Sequence, residues 1–261
     1  MSGEPLSVAV TGAGGRMGRE VIEAALDRDG VDVAVAVNRT ETDPVAGVDV
    51  DTADRLPERL AADQPDVLVD FTGPDSAITY AAACAEAGVP LVTGTTGFDD
   101  DQLDSLRAVS DAVPVLKASN FARGVAALRR AVREAVAALP GYDVELTETH
   151  HNGKRDAPSG TAKSILDDVE SVRDDLDRRV HGREGDAPRE PGEIGVHARR
   201  AGDVTGEHEL LVAGNRETLS LTHRAGDRGV FAEGALDAAA WLAGRAPGWY
   251  GFDDVLDAGG E

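Results

Sequence analysis

The stretch LSVAVTGAGGRMGREVIEAALDRDG, residues 6–30, limits the fold more than any other part of the chain. It reads as a short β run, a turn crowded with glycine, and a helix closing at Gly30 in the favoured C-terminal glycine position. Gly12, Gly15 and Gly18 give G-x-x-G-x-x-G, while Gly12 and Gly14 satisfy the start of G-x-G-x-x-G and Gly15 or Gly18 its close. Either spacing serves one physical need: a tight turn, close backbone approach by a pyrophosphate, and N–H groups at a helix N-terminus. A purely structural glycine turn is the alternative. The position between a first strand and a first helix favours dinucleotide binding.

The rest of the first half repeats the theme. VDVAVAVNR and PDVLVDFTG read as strands, with ERLAADQ as a short helix between them. SAITYAAACAEAG is a helix stopping at Gly88, VPLVTG a strand, DDQLDSLRAVSDA a helix and VPVLKASN a strand. This alternation implies a parallel sheet covered on both faces. After Asn120 the order changes to a long amphipathic helix, RGVAALRRAVREAVAALP, a strand, YDVELTETHHN, and a second long helix following DAPSGTA. GEIGVHARRAG, TGEHELLVAG and ETLSLTHRAG then follow as strands without helices between them, as in a mixed or antiparallel sheet. The Gly/Pro-rich HGREGDAPREPGEIG is expected as a mobile loop. The 261 residues thus divide into a Rossmann-type α/β dinucleotide-binding domain, 1–122, completed by 232–261, and an α+β substrate domain, 123–231.

An acidic residue about 20 positions after the glycine turn usually holds the adenosine ribose of NAD. Here the second strand ends in Asn38-Arg39. Asn38 removes the repulsion a carboxylate exerts on a 2′-phosphate, and Arg39, helped by Arg16, offers that phosphate a cation. The pattern favours NADPH over NADH, against the bland reading of a solvent-facing arginine.

A second stretch, THHNGKRDAPSGTA at 149–162, sits oddly in a chain of net charge −22 with only three lysines, Lys117, Lys154 and Lys163. Two of those lysines, two of the six histidines and Arg155 fall in this window or one residue beyond it. On a strand His150 and His151 point to opposite faces. Ser159 is placed to cap the following helix, leaving the Gly160 and Thr161 N–H groups and Lys154 to an anion, a carboxylate or phosphate. Zinc is the rival, but no helical H-x-x-x-H or cysteine pair supports a metal. A basic surface turn is the bland alternative. The dispersed acids elsewhere exclude nucleic acid as a partner and read as a halophile's surface. Cys84, the single cysteine, is expected as buried helix filler. With no membrane-length apolar run and no signal peptide, a cytoplasmic location is expected.

GAGGRMGR, DFTGP, GTTGF, SNF and HHNGKRDAPSGTA, with PGEIG, RAGDVTGEHE, LTHRA and FDDVLD, together resemble the 4-hydroxy-tetrahydrodipicolinate reductases, also called dihydrodipicolinate reductases. The resemblance spans nearly the whole chain. It implies NAD(P)H-dependent reduction of a cyclic dicarboxylate imine to tetrahydrodipicolinate, with loss of water, in lysine and diaminopimelate biosynthesis. It implies that His150 is the proton donor/acceptor, that Lys154 is a second catalytic group, and that His151, Gly160 and Thr161 bind substrate. Gly12, Ala13, Gly14, Gly15, Arg16 and Met17, then Gly94, Thr95 and Thr96, then Ala118, Ser119, Asn120 and Phe121, match the cofactor loops. Asn38, where many members carry an acid, departs from the pattern and bears on NADH use. The family also implies a homotetramer built through the second sheet. An aspartate or homoserine dehydrogenase would share the two-domain plan without requiring HHNGKRDAPSGTA. A redox-sensing regulator would want a DNA-binding module, and none is visible.

Overall fold

The computed structural model describes residues 4–258. The outermost ends of the expected first domain, 1–3 and 259–261, lie outside the described residues. β1 (Leu6–Thr11), α1 (Arg16–Asp27) and β2 (Val31–Asn38) form the opening βαβ. α1 stops at Asp27, short of the expected glycine, because Arg28 is already extended; Gly30 instead takes a left-handed φ of 80° in the turn to β2. β3 (Asp51–Thr52), α2 (Leu56–Asp63), β4 (Val67–Asp70), α3 (Pro74–Ala87), β5 (Leu91–Thr93), α4 (Asp100–Val109) and β6 (Pro114–Lys117) continue the alternation. Then come α5 (Arg123–Ala138), β7 (Asp143–His150) and α6 (Gly160–Glu170). β8 (Arg178–His181), β9 (Glu193–Arg200), β10 (Gly206–Gly214) and β11 (Glu217–Ala225) follow. α7 (Gly229–Leu242), β12 (Gly248–Tyr250) and α8 (Phe252–Asp257) end the described chain.

The chain separates into two compact units, one running to Phe121 and resuming at Arg228, the other spanning Ala122–Asp227. The first holds a seven-stranded sheet in the order β12-β6-β5-β4-β1-β2-β3, every pairing parallel. Val67–Val69 and Val8–Val10 are buried throughout, as strands covered on both faces must be. Cys84 lies buried in α3, against Leu68 and Leu91 of the same core.

The second unit is a mixed five-stranded sheet, β11-β10-β7-β9-β8. β9 runs parallel to β7 and β8, while β10 is antiparallel to β7 and β11. Val144, Leu146, Leu210 and Val212 alternate inward and pack with Val132, Ile165 and Leu166 of α5 and α6. Arg129 and Arg133 on α5 clasp the buried Asp168 carboxylate on α6. The sequence does not reveal β3, β8 and β12, short edge strands without an alternating pattern, and α6 stops at Glu170, so the acidic stretch beyond it is not helical.

Candidate active site

β1 delivers the chain to its glycine turn where the strand order reverses, with β4 on one side and β2 on the other. Open parallel sheets bind ligands in the crevice outside such a switch point. Gly12 holds a left-handed φ of 64°. The Gly15 N–H closes the turn on the Gly12 carbonyl at 2.8 Å, and the Ala13 N–H donates to the Val37 carbonyl at 3.1 Å. At Gly18 a Cβ would stand 2.2 Å from the Gly12 oxygen, so α1 rests directly on the turn only without a side chain there. No side chain caps α1. A cleft of about 400 Å³ opens at this point, lined by Gly12, Gly15, Asn38, Arg39, the 71–76 segment and Tyr80. An uncapped helix start over an open glycine turn fits a dinucleotide pyrophosphate.

Asn38 also organises the loop after β2: its Nδ2 donates to the Thr40 carbonyl at 3.0 Å and to Thr42 Oγ1 at 2.7 Å. Arg39 is left exposed on the cleft wall, while Arg16, also exposed, does not line it. Ala13 is buried, Gly14 and Met17 are half-buried, and none of the three lines the cleft. Gly94, Thr95 and Thr96 follow β5, and Ala118, Ser119 and Asn120 follow β6, at the same C-terminal edge of the sheet but outside this cleft. Phe121 is core, edge-on to Phe71 and Phe252 at 5.5 and 5.3 Å.

Sequence reasoning missed Asp70. Its buried carboxylate accepts hydrogen bonds from four threonine hydroxyls: Thr11 and Thr93 at 2.8 Å, Thr72 at 2.6 Å and Thr95 at 2.7 Å. Those hydroxyls stand at or just beyond the ends of β1, β4 and β5, so one carboxylate ties together three loops at the C-terminal edge of the sheet. The Thr72 N–H in turn donates to Thr95 Oγ1 at 3.0 Å.

The cationic window lies in the second unit. The alternation that buries Val144 and Leu146 continues along β7 to Glu148 and His150. Register sets His208 of β10 opposite Glu148 and Arg200 of β9 opposite His150. Glu148 is fully buried and accepts from His150 Nδ1 at 2.5 Å, from both Arg200 Nη groups at 2.7 and 2.9 Å, and from the Ser159 N–H at 3.2 Å. Burial alone would raise the Glu148 carboxyl, but the bonds from His150 and Arg200, reinforced by their charges, outweigh it and hold it at about 2. His208 packs edge-on against His150 at 5.3 Å and shares a hydrogen bond with Ser159 Oγ. Burial first, then the neighbouring His150 charge, lowers His208 to about 4.

Ser159 caps α6 as expected, its Oγ accepting from the Ala162 N–H at 3.1 Å. The Asp156 carboxylate pairs with Lys154 Nζ at 2.7 Å. Burial would raise the Asp156 carboxyl, but Lys154 and, behind it, the Asp156 and Gly160 N–H groups lower it. His151, just past β7, folds its ring over Gly153, and Thr161 is buried in the first turn of α6. His150, His151, Lys154, Gly160 and Thr161 therefore gather at one end of the second sheet. Among the described residues no group of three or more His, Cys, Asp and Glu side chains is arranged to hold a metal ion, and no helix is long and apolar enough to cross a membrane.

A parallel sheet with a glycine turn at its switch point, carried in one chain with a cluster of imidazole, ammonium, guanidinium and carboxylate groups, is the plan of a pyridine-nucleotide-dependent oxidoreductase. Residues 6–121 match the family model described as dihydrodipicolinate reductase, N-terminus, and 124–256 match its C-terminus counterpart. The chain belongs to the dihydrodipicolinate reductase family. It is 57% identical to the 4-hydroxy-tetrahydrodipicolinate reductase of Haloarcula marismortui, covering 96% of this chain and 99% of that one. Identity to the same enzyme of Natronomonas pharaonis is also 57%, covering 96% and 100%. Among solved structures, the dipicolinate-bound dihydrodipicolinate reductase from Paenisporosarcina sp. TG-14 shares the fold, with a TM-score of 0.77, 24% identity, and coverage of 97% and 100%.

Proposed function

We propose that the chain reduces 4-hydroxy-tetrahydrodipicolinate to tetrahydrodipicolinate with loss of water, in lysine and diaminopimelate biosynthesis, using NADPH in preference to NADH. The observation that carries the reading is the gathering of His150, Lys154 and the α6 N-terminus at the open end of the second sheet. The nicotinamide cofactor, when bound, supplies a hydride. The glycine turn and the open start of α1 hold its pyrophosphate, and Arg39 meets the 2′-phosphate that distinguishes NADPH. Lys154 and the Gly160 and Thr161 N–H groups bind a substrate carboxylate, exchanging Asp156 for it, and His151 assists. His150 donates the proton that the reduced substrate requires, through the ring nitrogen not bound to Glu148. A cytoplasmic homotetramer assembled through the second sheet belongs to the same proposal; analytical ultracentrifugation reads the assembly state.

NADPH oxidation with freshly made cyclic substrate, run beside aspartate semialdehyde and oxaloacetate, tests the activity. Turnover confined to either alternative substrate overturns it. kcat/KM for NADPH and NADH at one salt concentration tests the cofactor, and a tenfold or greater preference for NADH refutes the role of Asn38-Arg39.

A further inference from the structure

We infer that Glu148 is a positioning residue for this reaction: it fixes His150 with its proton on Nδ1 and turns Nε2 toward the substrate, and Arg200 holds Glu148 in the ionised form that this requires. The inference rests on the reductase reading for its chemistry and on the second unit alone for its geometry.

An ionised carboxylate only accepts hydrogen bonds. Glu148 Oε2 lies 2.5 Å from His150 Nδ1, so that nitrogen carries the proton, and proton exchange with substrate is left to Nε2. No hydrogen-bond partner of Nε2 is present among the described residues. The strand beside it has been cleared: a Cβ at Gly206 would come within 3.2 Å of Nε2. The groups around the ring come from every neighbouring element. Glu148 shares β7 with it, Arg200 comes from β9, and His208 from β10. His208 is held low and neutral and walls the ring edge-on, while Lys154 in the adjoining loop is engaged with Asp156.

Arg200 does two things at once. Its paired bonds to both Glu148 oxygens offset the burial of that charge. It also donates to the Asp156 carbonyl at 2.5 Å, tying the Lys154–Asp156 loop to the Glu148–His150 pair. The imidazole that gives a proton and the ammonium that grips a carboxylate are thereby referred to one buried anion.

The test begins with the wild-type protein. Nitrogen-15 NMR of its labelled histidines, with His150 assigned by comparison with His150→Ala, reads the tautomer independently of turnover. A proton on Nδ1 supports the inference, and a neutral ring protonated on Nε2 overturns it. In Glu148→Gln, an amide that either donates or accepts no longer dictates the tautomer. kcat should fall by about 10- to 100-fold with KM changed by less than about threefold. The pH–rate profile of this variant should differ from that of the wild type, because the carboxylate facing Nδ1 is gone. Wild-type kcat, profile and tautomer in a folded Glu148→Gln variant would overturn the positioning role. Should that variant fail to fold, Arg200→Lys, which keeps the charge but loses the paired geometry, should show the same fall in kcat in weaker form; unchanged kcat there would count against it. Absence of turnover in the wild type with an Nδ1-protonated His150 would sink the reductase reading and leave the Glu148 geometry standing.

Discussion

Acid should loosen this protein through Glu148, and the size of the effect follows from its surroundings. The carboxyl sits at about 2 in the folded chain against an ordinary 4.5. A depressed folded value means that the stabilisation is complete above the unfolded value and is lost as pH falls toward the folded one. The gap of about 2.5 pH units, at 1.36 kcal/mol each, amounts to roughly 3 kcal/mol. Glu148→Gln is the perturbation, since the amide is near in shape and does not titrate. The variant should carry a pH-independent loss of about 3–5 kcal/mol above pH 5, from the Arg200 charge left buried without its partner. Below about pH 4.5 that difference should shrink, with a slope approaching 1.4 kcal/mol per pH unit, as the wild type loses what the variant never had. The many surface carboxylates titrate in both proteins and cancel in the difference. Urea unfolding at one high salt concentration, from about pH 7 to pH 3, measures it. A difference that stays flat across that range would refute the reasoning.

His150→Ala should lower kcat by about 10²- to 10⁴-fold while raising KM much less, and Lys154→Ala should damage both. Steady-state kinetics beside a fluorescence titration of NADPH will show whether cofactor affinity stays within a few-fold; its loss in either variant would contradict the assignment. Gly18→Ala forces a methyl against the Gly12 carbonyl and the Ala13 backbone, and should cost about 1–3 kcal/mol in urea unfolding and weaken NADPH binding about tenfold or more. Unaltered binding would show that the turn does not need this close helix. With a net charge of −22, the melting temperature should fall as salt is withdrawn and the Debye length grows from roughly 3 Å at 1 M to 30 Å at 0.01 M. A constant melting temperature would remove the halophile reading.

Local spacing made much of this molecule legible. The β1–turn–α1 unit declares itself because its glycines serve a geometry completed within one short stretch, and Ser159 caps α6 for the same reason. Glu148 escaped notice although it stands two residues before His150 on the same inward row as Val144 and Leu146. An acid in an acidic chain reads as solvated, and only the register with β9 supplies the Arg200 that makes its burial tolerable. Asp70 was hidden differently: Thr72 is local to it, but Thr11, Thr93 and Thr95 come from segments that only the strand order brings to it. Asp156 was legible as a residue but not as the anion that pairs with Lys154.

The order of synthesis runs against the order of assembly. The first unit begins with β1 but is finished by α7, β12 and α8, which are made only after the whole of the second unit. α7 lies on α1 and on β4, β5 and β6, pressed so close that a Cβ at Gly234 would stand 1.8 Å from the Phe121 carbonyl oxygen. β12 supplies the parallel neighbour of β6. Until both emerge, a nascent chain carries an apolar sheet with one covering helix missing and one edge open, while Ala122–Asp227 is already continuous and able to complete its own core. A chain cut at Asp227 would therefore hold the second unit whole beside a first unit with an uncovered sheet face and an open edge.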